Sequence, residues 1–79
     1  MVSRLDRITV DPERLGGKPS IRGLRISVAM IVQIVAAGKT VEDIIAEYPH
    51  LEPEDVRQAL EYSAAVVENE YHLALRPSA

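Results

Sequence analysis

The chain has 79 residues, no cysteine and a formal net charge of −3. This length fits one domain with a marginal core, and without cysteine there is no disulfide, thiolate metal ligand or cysteine nucleophile. No segment reaches the roughly 18 consecutive apolar residues of a membrane span, and the N-terminus lacks the apolar centre of a secretory signal. We therefore expect a soluble cytoplasmic protein that gains stability by associating with another chain.

The net charge hides two segments of opposite sign. Residues 1–25 carry six basic and three acidic side chains, a balance of +3, whereas residues 26–79 carry three basic and nine acidic side chains, a balance of −6. A basic head on an acidic body indicates a head that meets phosphate or an acidic partner, with ordinary solvated surface charge as the alternative.

Strand and turn signals dominate the head, which we take as residues 1–26. Ile8-Thr9-Val10 has the β-branched character of a short strand. Further along, Gly23-Leu24 matches the Gly-X order of a two-residue type II′ turn, with Arg22 and Arg25 as neighbours across it. Because such short strands are marginal in isolation, this hairpin should pack on the helices or pair with a second copy.

The Gly16-Gly17-Lys18 segment invites comparison with a phosphate-binding loop. The Walker pattern would need glycine at the position of Pro12 and serine or threonine at the position of Pro19. The segment therefore predicts a structural turn and not a nucleotide site.

Residues 27–62 predict the helical core. Ser27 is placed to cap a helix from Val28 to Ala37, which Gly38 closes. Apolar residues surround nearly the whole axis of this helix, so it must be covered on almost every side. Thr40 then caps a second helix, with Asp43 three residues on as a near match to a capping box.

A third helix begins at Pro53, since proline suits the first helical position and Glu54 and Asp55 suit the positive end of the dipole. His50-Leu51-Glu52 forms the tight connection from the second helix. Two helices joined in this way have the layout of a DNA-reading helix-turn-helix, although an ordinary helical corner has the same layout.

The third helix is expected to reach Leu75, and residues 63–79 form its extension and tail. One apolar stripe is assigned to the domain core: Val56, Leu60, Ser63, Val67, Tyr71 and Ala74. A second stripe lies roughly a quarter turn away: Tyr62, Val66 and Leu73. Beyond about Ala65 the helix outruns the module, so its apolar surface indicates an interface, with a fraying tail as the alternative.

No pattern typical of catalysis is present. His50 and His72 stand in no metal-ligand spacing, and the serines lack a neighbouring base or nucleophile-elbow glycines. We therefore expect no enzyme activity, no metal and no cofactor.

The run from Ile8 to Leu60, about two-thirds of the chain, closely resembles a family of small bacterial and archaeal proteins catalogued as a domain of unknown function. The shared pattern is G-G-K-P-x-I-x-G-x-R-I-x-V, then an apolar helix that ends at glycine, then Y-P-x-L. It falls here on Gly16, Gly17, Lys18, Pro19, Ile21, Gly23, Arg25, Ile26, Val28, Tyr48, Pro49 and Leu51.

The resemblance implies a mostly α fold: a short N-terminal β-hairpin region, a three-helix, homeodomain-like helix-turn-helix core and an extended C-terminal helix. It also implies an antitoxin that neutralises a PIN-like ribonuclease toxin and binds its own promoter DNA. Expected DNA contacts are Lys18, Arg22, Arg25 and Lys39 to phosphates, and Arg57 and Gln58 to bases. Against this, Glu54 and Asp55 at the entering end of the recognition helix would repel a duplex.

The toxin partner suits the sequence better. PIN-type nucleases gather carboxylates around metal ions, so Arg76 or an arginine of the head would cover the acidic pocket, or an apolar helix would wrap the toxin. Candidate residues for a partner or oligomer interface are Met30, Ile34, Tyr62, Val66, Tyr71, Leu73 and Arg76.

Self-association satisfies the same apolar surface. A homo-oligomeric helical adaptor, a dimer as the first expectation, therefore competes with the antitoxin hypothesis and needs no nucleic acid. A small-molecule sensor would need a pocket, for which so small a core leaves little room.

Overall fold

The structure, a computed structural model, describes residues 5–69. The elements in chain order are β1 (Ile8–Thr9), a 3₁₀ turn (Leu15–Gly17), β2 (Ser20–Ile21), α1 (Val28–Ala36), α2 (Val41–Glu47) and α3 (Pro53–Asn69). The expectation of a mostly helical chain with a short two-stranded sheet near the N-terminus is confirmed. The predicted continuation of α3 to Leu75 lies outside the described residues.

The two strands pair antiparallel, with Ile8 opposite Ile21. The tight turn after β2 lies one residue earlier than predicted, because the carbonyl of Ile21 accepts a hydrogen bond from the amide of Leu24. Arg22 and Gly23 are therefore its central residues, and both have positive φ, 45° and 72°. Two central residues with positive φ match a type I′ turn, so the prediction of a type II′ turn at Gly23-Leu24 was wrong.

Helix α1 begins and ends where its capping residues stand. The Ser27 hydroxyl accepts from the amide of Met30 at 3.0 Å, and Gly38 takes a φ of 94° just beyond the end. The helix buries Val28 and Ile31, and it packs chiefly against α3. Its other apolar residues from Met30 to Val35 are half-buried, so residues 5–69 cover the helix only in part.

Helix α2 has the full capping box. The Thr40 hydroxyl accepts from the amide of Asp43 at 3.1 Å, and the Asp43 carboxylate accepts from the amide of Thr40 at 2.9 Å. This backbone hydrogen bond favours the charged carboxylate, and the pKa of Asp43 is accordingly lowered. Ile44 points into the core, whereas Glu42, Asp43 and Glu47 are exposed.

The face that α3 buries differs from the predicted one. Leu60 is 37% exposed and Val67 65% exposed, so both were wrongly assigned to the core. Asp55 and Gln58 are buried in their place, beside Val56 and Ala59. Pattern reading treats polar residues as surface, whereas these two turn inward because the head supplies their hydrogen-bond partners.

The hydrophobic core of the domain is small. Its buried hydrophobic residues are Ile21, Val28, Ile31, Ile44, Leu51, Val56 and Ala59. The sheet contributes one of them and the helices and the α2–α3 connection contribute the rest. Over residues 5–69, no helix is long and apolar enough to cross a bilayer.

Candidate functional site

Asp55 is the centre of a charge cluster where the head meets α3. Its side chain is fully buried, and both of its oxygens accept from the guanidinium of Arg22, at 2.9 and 2.8 Å. Arg7 adds a third charged contact at 3.1 Å and also binds Glu52 at 2.7 Å. Two arginines from the head therefore enclose one carboxylate at the start of α3.

The backbone completes this cluster. Asp55 stands at the third position of α3 and accepts from the amide of Glu52 at 2.8 Å, so it also caps the start of the helix. Arg22 also donates to the carbonyl of His50 at 2.8 Å, which ties the turn before α3 to the head. Its positive φ is unusual for arginine, and we attribute it to these contacts, which hold the side chain over Asp55.

Gln58 extends the junction by one turn of α3. It is 3% exposed; its carbonyl oxygen accepts from the amide of Arg7, and its amide nitrogen donates to Asp6 and Glu54, all at 3.0 Å. Among the described residues, no buried polar side-chain atom lacks a hydrogen-bond partner. The buried polar groups of the cluster therefore all have hydrogen-bond partners. The cluster fastens the head to α3 and leaves no buried polar atom free for a ligand.

The pKa values of Asp55 and Glu54 lie below the ordinary range of these groups. Desolvation raises the pKa of Asp55, but the hydrogen bonds from Arg22, the amide of Glu52 and Arg7 outweigh it, and the net pKa is lowered. At the surface next to it, the hydrogen bond from Arg57 lowers the pKa of Glu54 to about 2. The charged forms of both groups are favoured in the folded protein.

These shifts predict acid sensitivity. A carboxyl group whose folded pKa is depressed stabilises the fold fully above its unfolded pKa, and this stabilisation is lost as pH falls towards the folded pKa. We expect the free energy of unfolding to be steady above about pH 5 and to fall below about pH 4. Urea titrations across this range test it, and Glu54→Gln should flatten the acid limb; stability that rises on acidification would contradict the assignment.

The residues predicted to contact DNA have different surroundings in the structure. Arg22 and Gln58 are engaged inside the cluster, and Arg57 is held at 2.6 Å by both Glu54 and Glu61. The others are exposed: Lys18, Arg25 and Lys39. At the start of α3 the cations are thus neutralised by the carboxylates around them.

An apolar groove of about 410 Å³ lies along the α1–α3 pair. One wall comes from α1 and the other from the C-terminal half of α3, and Lys18 stands at the rim with Pro19. The helical residues that line it are Val28, Ala29, Val32, Gln33, Tyr62, Ser63, Val66 and Val67. We call this feature the α1–α3 groove.

The predicted interface residues divide between surfaces. Tyr62 and Val66 line the α1–α3 groove. Met30 and Ile34 are half-buried and do not line it; at about 100° per residue they fall on another side of α1 from Ala29 and Val32. Tyr71, Leu73 and Arg76 lie outside the described residues.

Sequence reasoning missed the partners of Asp55. Arg7 is 48 positions away in the chain and Arg22 is 33 positions away. No local spacing links such distant residues; the only signals were an excess of arginine in the head and an acid at the third position of a helix. No group of three histidine, aspartate or glutamate side chains within residues 5–69 could hold a metal ion.

The geometry defines a small helical domain with a two-stranded N-terminal sheet, fastened by a buried charge cluster and open along one apolar groove. Residues 8–63 match the family model described as "Protein of unknown function (DUF433)", and the chain belongs to this family.

Two known proteins are similar to this chain over most of its length. It is 40% identical over 58 residues to the "Uncharacterized protein y4eO" of Sinorhizobium fredii, a match that covers 73% of this chain and 26% of that protein. A crystal structure of a DUF433 member from Anabaena variabilis has a TM-score of 0.70 and 31% identity, covering 82% of this chain and 60% of that one. The chain therefore spans about a quarter of the first relative and three-fifths of the second.

Proposed function

We propose that this protein is an antitoxin-like protein that binds and neutralises a PIN-like ribonuclease. The observation that carries the proposal is the apolar face of α3, which remains exposed to the end of the described helix: Val66 is 38% and Val67 65% exposed. Exposed apolar surface on so small a domain marks binding to another polypeptide. In the sequence, Tyr71 and Leu73 follow at the same helical spacing.

The charges of the head narrow the choice of the residue that meets the carboxylates of the nuclease. Arg7 and Arg22 are committed to Asp55, and Arg14 lies 3.8 Å from Asp11. A cation that must enter an acidic pocket has to be free of such partners, because breaking a buried ion pair is strongly destabilising. Arg25 is exposed and forms no ion pair among residues 5–69, so it stays an alternative within the head. We assign the role to Arg76, because Tyr71 and Leu73 stand close to it in the sequence as apolar contacts.

Binding to promoter DNA is less well supported than binding to the toxin. Helices α2 and α3, joined by residues 48–52, keep the order and short connection of a helix-turn-helix. However, the exposed side of α2 carries Glu42, Asp43 and Glu47, and Arg57 on α3 is neutralised by its neighbours. Because duplex binding depends on cations that reach phosphate, the proposal rests on protein binding.

Co-expression of the full chain with the product of the adjacent gene, which the proposal expects to be a PIN-like ribonuclease, tests the proposal. The two proteins should co-purify and the nuclease should be inhibited. Arg76→Glu should weaken inhibition roughly tenfold or more, as expected for a central charged contact. Lys39→Glu, which reverses an exposed cation that forms no ion pair among residues 5–69, is the matched control and should leave inhibition unchanged.

Two results would contradict the proposal: a nuclease that never co-purifies, or Arg76→Glu with full inhibition. A homo-oligomeric adaptor, which the same exposed face also supports, would form oligomers and bind no nuclease.

A further inference from the structure

The α1–α3 groove continues the buried face of α3. Ala59 is fully buried on this face, and Val66, seven residues on, lies on the same side of the helix with 38% of its surface exposed. The groove therefore begins where the core of this chain ends. Its lining is apolar except for Lys18, Gln33, Ser63 and the hydroxyl of Tyr62, so its occupant must be largely apolar too.

A positive charge at the edge of the groove further restricts what the occupant can be. Lys18 lines the groove, is exposed, and has no ion-pair partner among residues 5–69. An occupant that carried a carboxylate next to its apolar residues would satisfy this cation at the edge of a low-dielectric surface, where ion pairs are stronger than in open water.

The chain itself carries a segment of this chemistry. Val66 and Val67 are the exposed apolar pair near the end of α3, and Glu68 follows them directly. Glu68 is exposed and, within the described part of the chain, forms no ion pair. The C-terminal half of α3 thus forms one wall of the groove, and its own apolar residues and negative charge also suit it to occupy such a groove.

We propose that a second copy of this chain fills the groove. The C-terminal half of α3 from each protomer lies in the groove of the other about a twofold axis, and Glu68 faces the partner's Lys18. Such an interface is isologous, since the same patch is used on both sides, and each contact occurs twice. The dimer uses Val66 and Val67, which belong to the apolar face that supports the proposed function, and it leaves to the nuclease the contacts assigned to Tyr71, Leu73 and Arg76.

Sedimentation equilibrium of the full chain over a wide concentration range tests the interface. The wild type should be a dimer that dissociates on dilution. Val66→Asp and Val67→Asp should each weaken the dimer about tenfold or more, because a charge would enter an apolar contact twice per dimer. Since Val67 is 65% exposed, its variant should keep the helical circular dichroism of the wild type, so a change in assembly is separated from unfolding.

Exchanging the charges of Lys18 and Glu68 tests how the two protomers are oriented relative to each other. Lys18→Glu and Glu68→Lys should each weaken the dimer roughly fivefold to tenfold, and the double variant should recover most of the wild-type affinity. Arg25→Glu, which alters an exposed cation of the head that does not line the groove, should have no effect.

A chain that is monomeric at every concentration, or a dimer that both aspartate variants leave unchanged, would overturn the inference. A dimer sensitive to the valines but with no recovery in the charge exchange would overturn the proposed twofold arrangement. Because these variants leave Tyr71, Leu73 and Arg76 intact, loss of the dimer and loss of nuclease binding are measured separately.

Discussion

Asp55→Ala is expected to lower the free energy of unfolding by about 3–5 kcal/mol, the cost of breaking a buried ion pair by removing one partner. The Asp55 side chain is fully buried and accepts from Arg7, Arg22 and the amide of Glu52. Without it, two guanidinium groups of like charge would face each other, and the first turn of α3 would lose its cap. Chemical denaturation monitored by circular dichroism measures the change.

The matched control is Glu52→Ala. Glu52 binds the same Arg7 at 2.7 Å, but its side chain is 61% exposed. Exposed ion pairs contribute at most about 1 kcal/mol, so this variant should stay close to wild-type stability. Asp55→Asn should remain clearly destabilised, because an amide nitrogen would replace an acceptor that faces Arg22.

A triple variant, Arg7→Ala, Arg22→Ala and Asp55→Ala, tests whether the three side chains stabilise the fold as one coupled network. Residues in one network couple, so the triple variant should cost much less than the sum of the single changes. Additive losses, or an Asp55→Ala protein as stable as Glu52→Ala, would contradict the view that the cluster fastens the head to α3.

Ile31→Ala should be the second large effect, with a loss of about 2–5 kcal/mol. Ile31 is fully buried on α1, at the contact with α3 that dominates the packing of this domain. Removing its three outer carbons loses both apolar burial and packing, and a core of this size has few other residues to move into the space. Thermal and urea unfolding of the same samples measure the loss.

Ile45→Ala is the control for this substitution, because it deletes the same atoms from a half-buried position on α2. It should cost distinctly less than Ile31→Ala. Equal losses at the two positions would mean that α1 does not form the main packing surface of α3.

The helices could be predicted because their signals are local. Ser27, Thr40 with Asp43, and Pro53 mark the three starts, and each lies at or next to the observed boundary. A capping residue acts on amides two or three positions away, so one stretch of sequence contains the whole interaction. The same holds for the short strand at Ile8–Thr9.

The charge cluster could not be predicted, since its members are far apart in the chain. The sequence predicts Asp55 as an exposed carboxylate that suits the positive end of a helix dipole, and Arg22 as a cation available to phosphate. Both readings change once the fold brings the head against α3, where burial of Asp55 makes sense only with Arg7 and Arg22 beside it.

The error on α3 has the same origin. Leu60 was placed in the core on periodicity alone, yet the buried face is turned towards Asp55 and Gln58. Hydrophobic periodicity locates the inward face when polar residues are solvated, and it fails where a polar residue finds its partners inside. Tyr62 and Val66 line the groove, and the interface that their helical spacing predicts stays a prediction.

Methyl-resolved NMR of the full chain in a concentration series tests most directly the central claim that the exposed face of α3 binds a second copy of the chain. The account predicts that the methyl resonances of Val28, Val32, Val66 and Val67 shift with concentration, while those of the buried Ile44 and Val56 do not. Resonances that stay fixed for all six residues, in a particle that remains monomeric at the highest concentration, would contradict it.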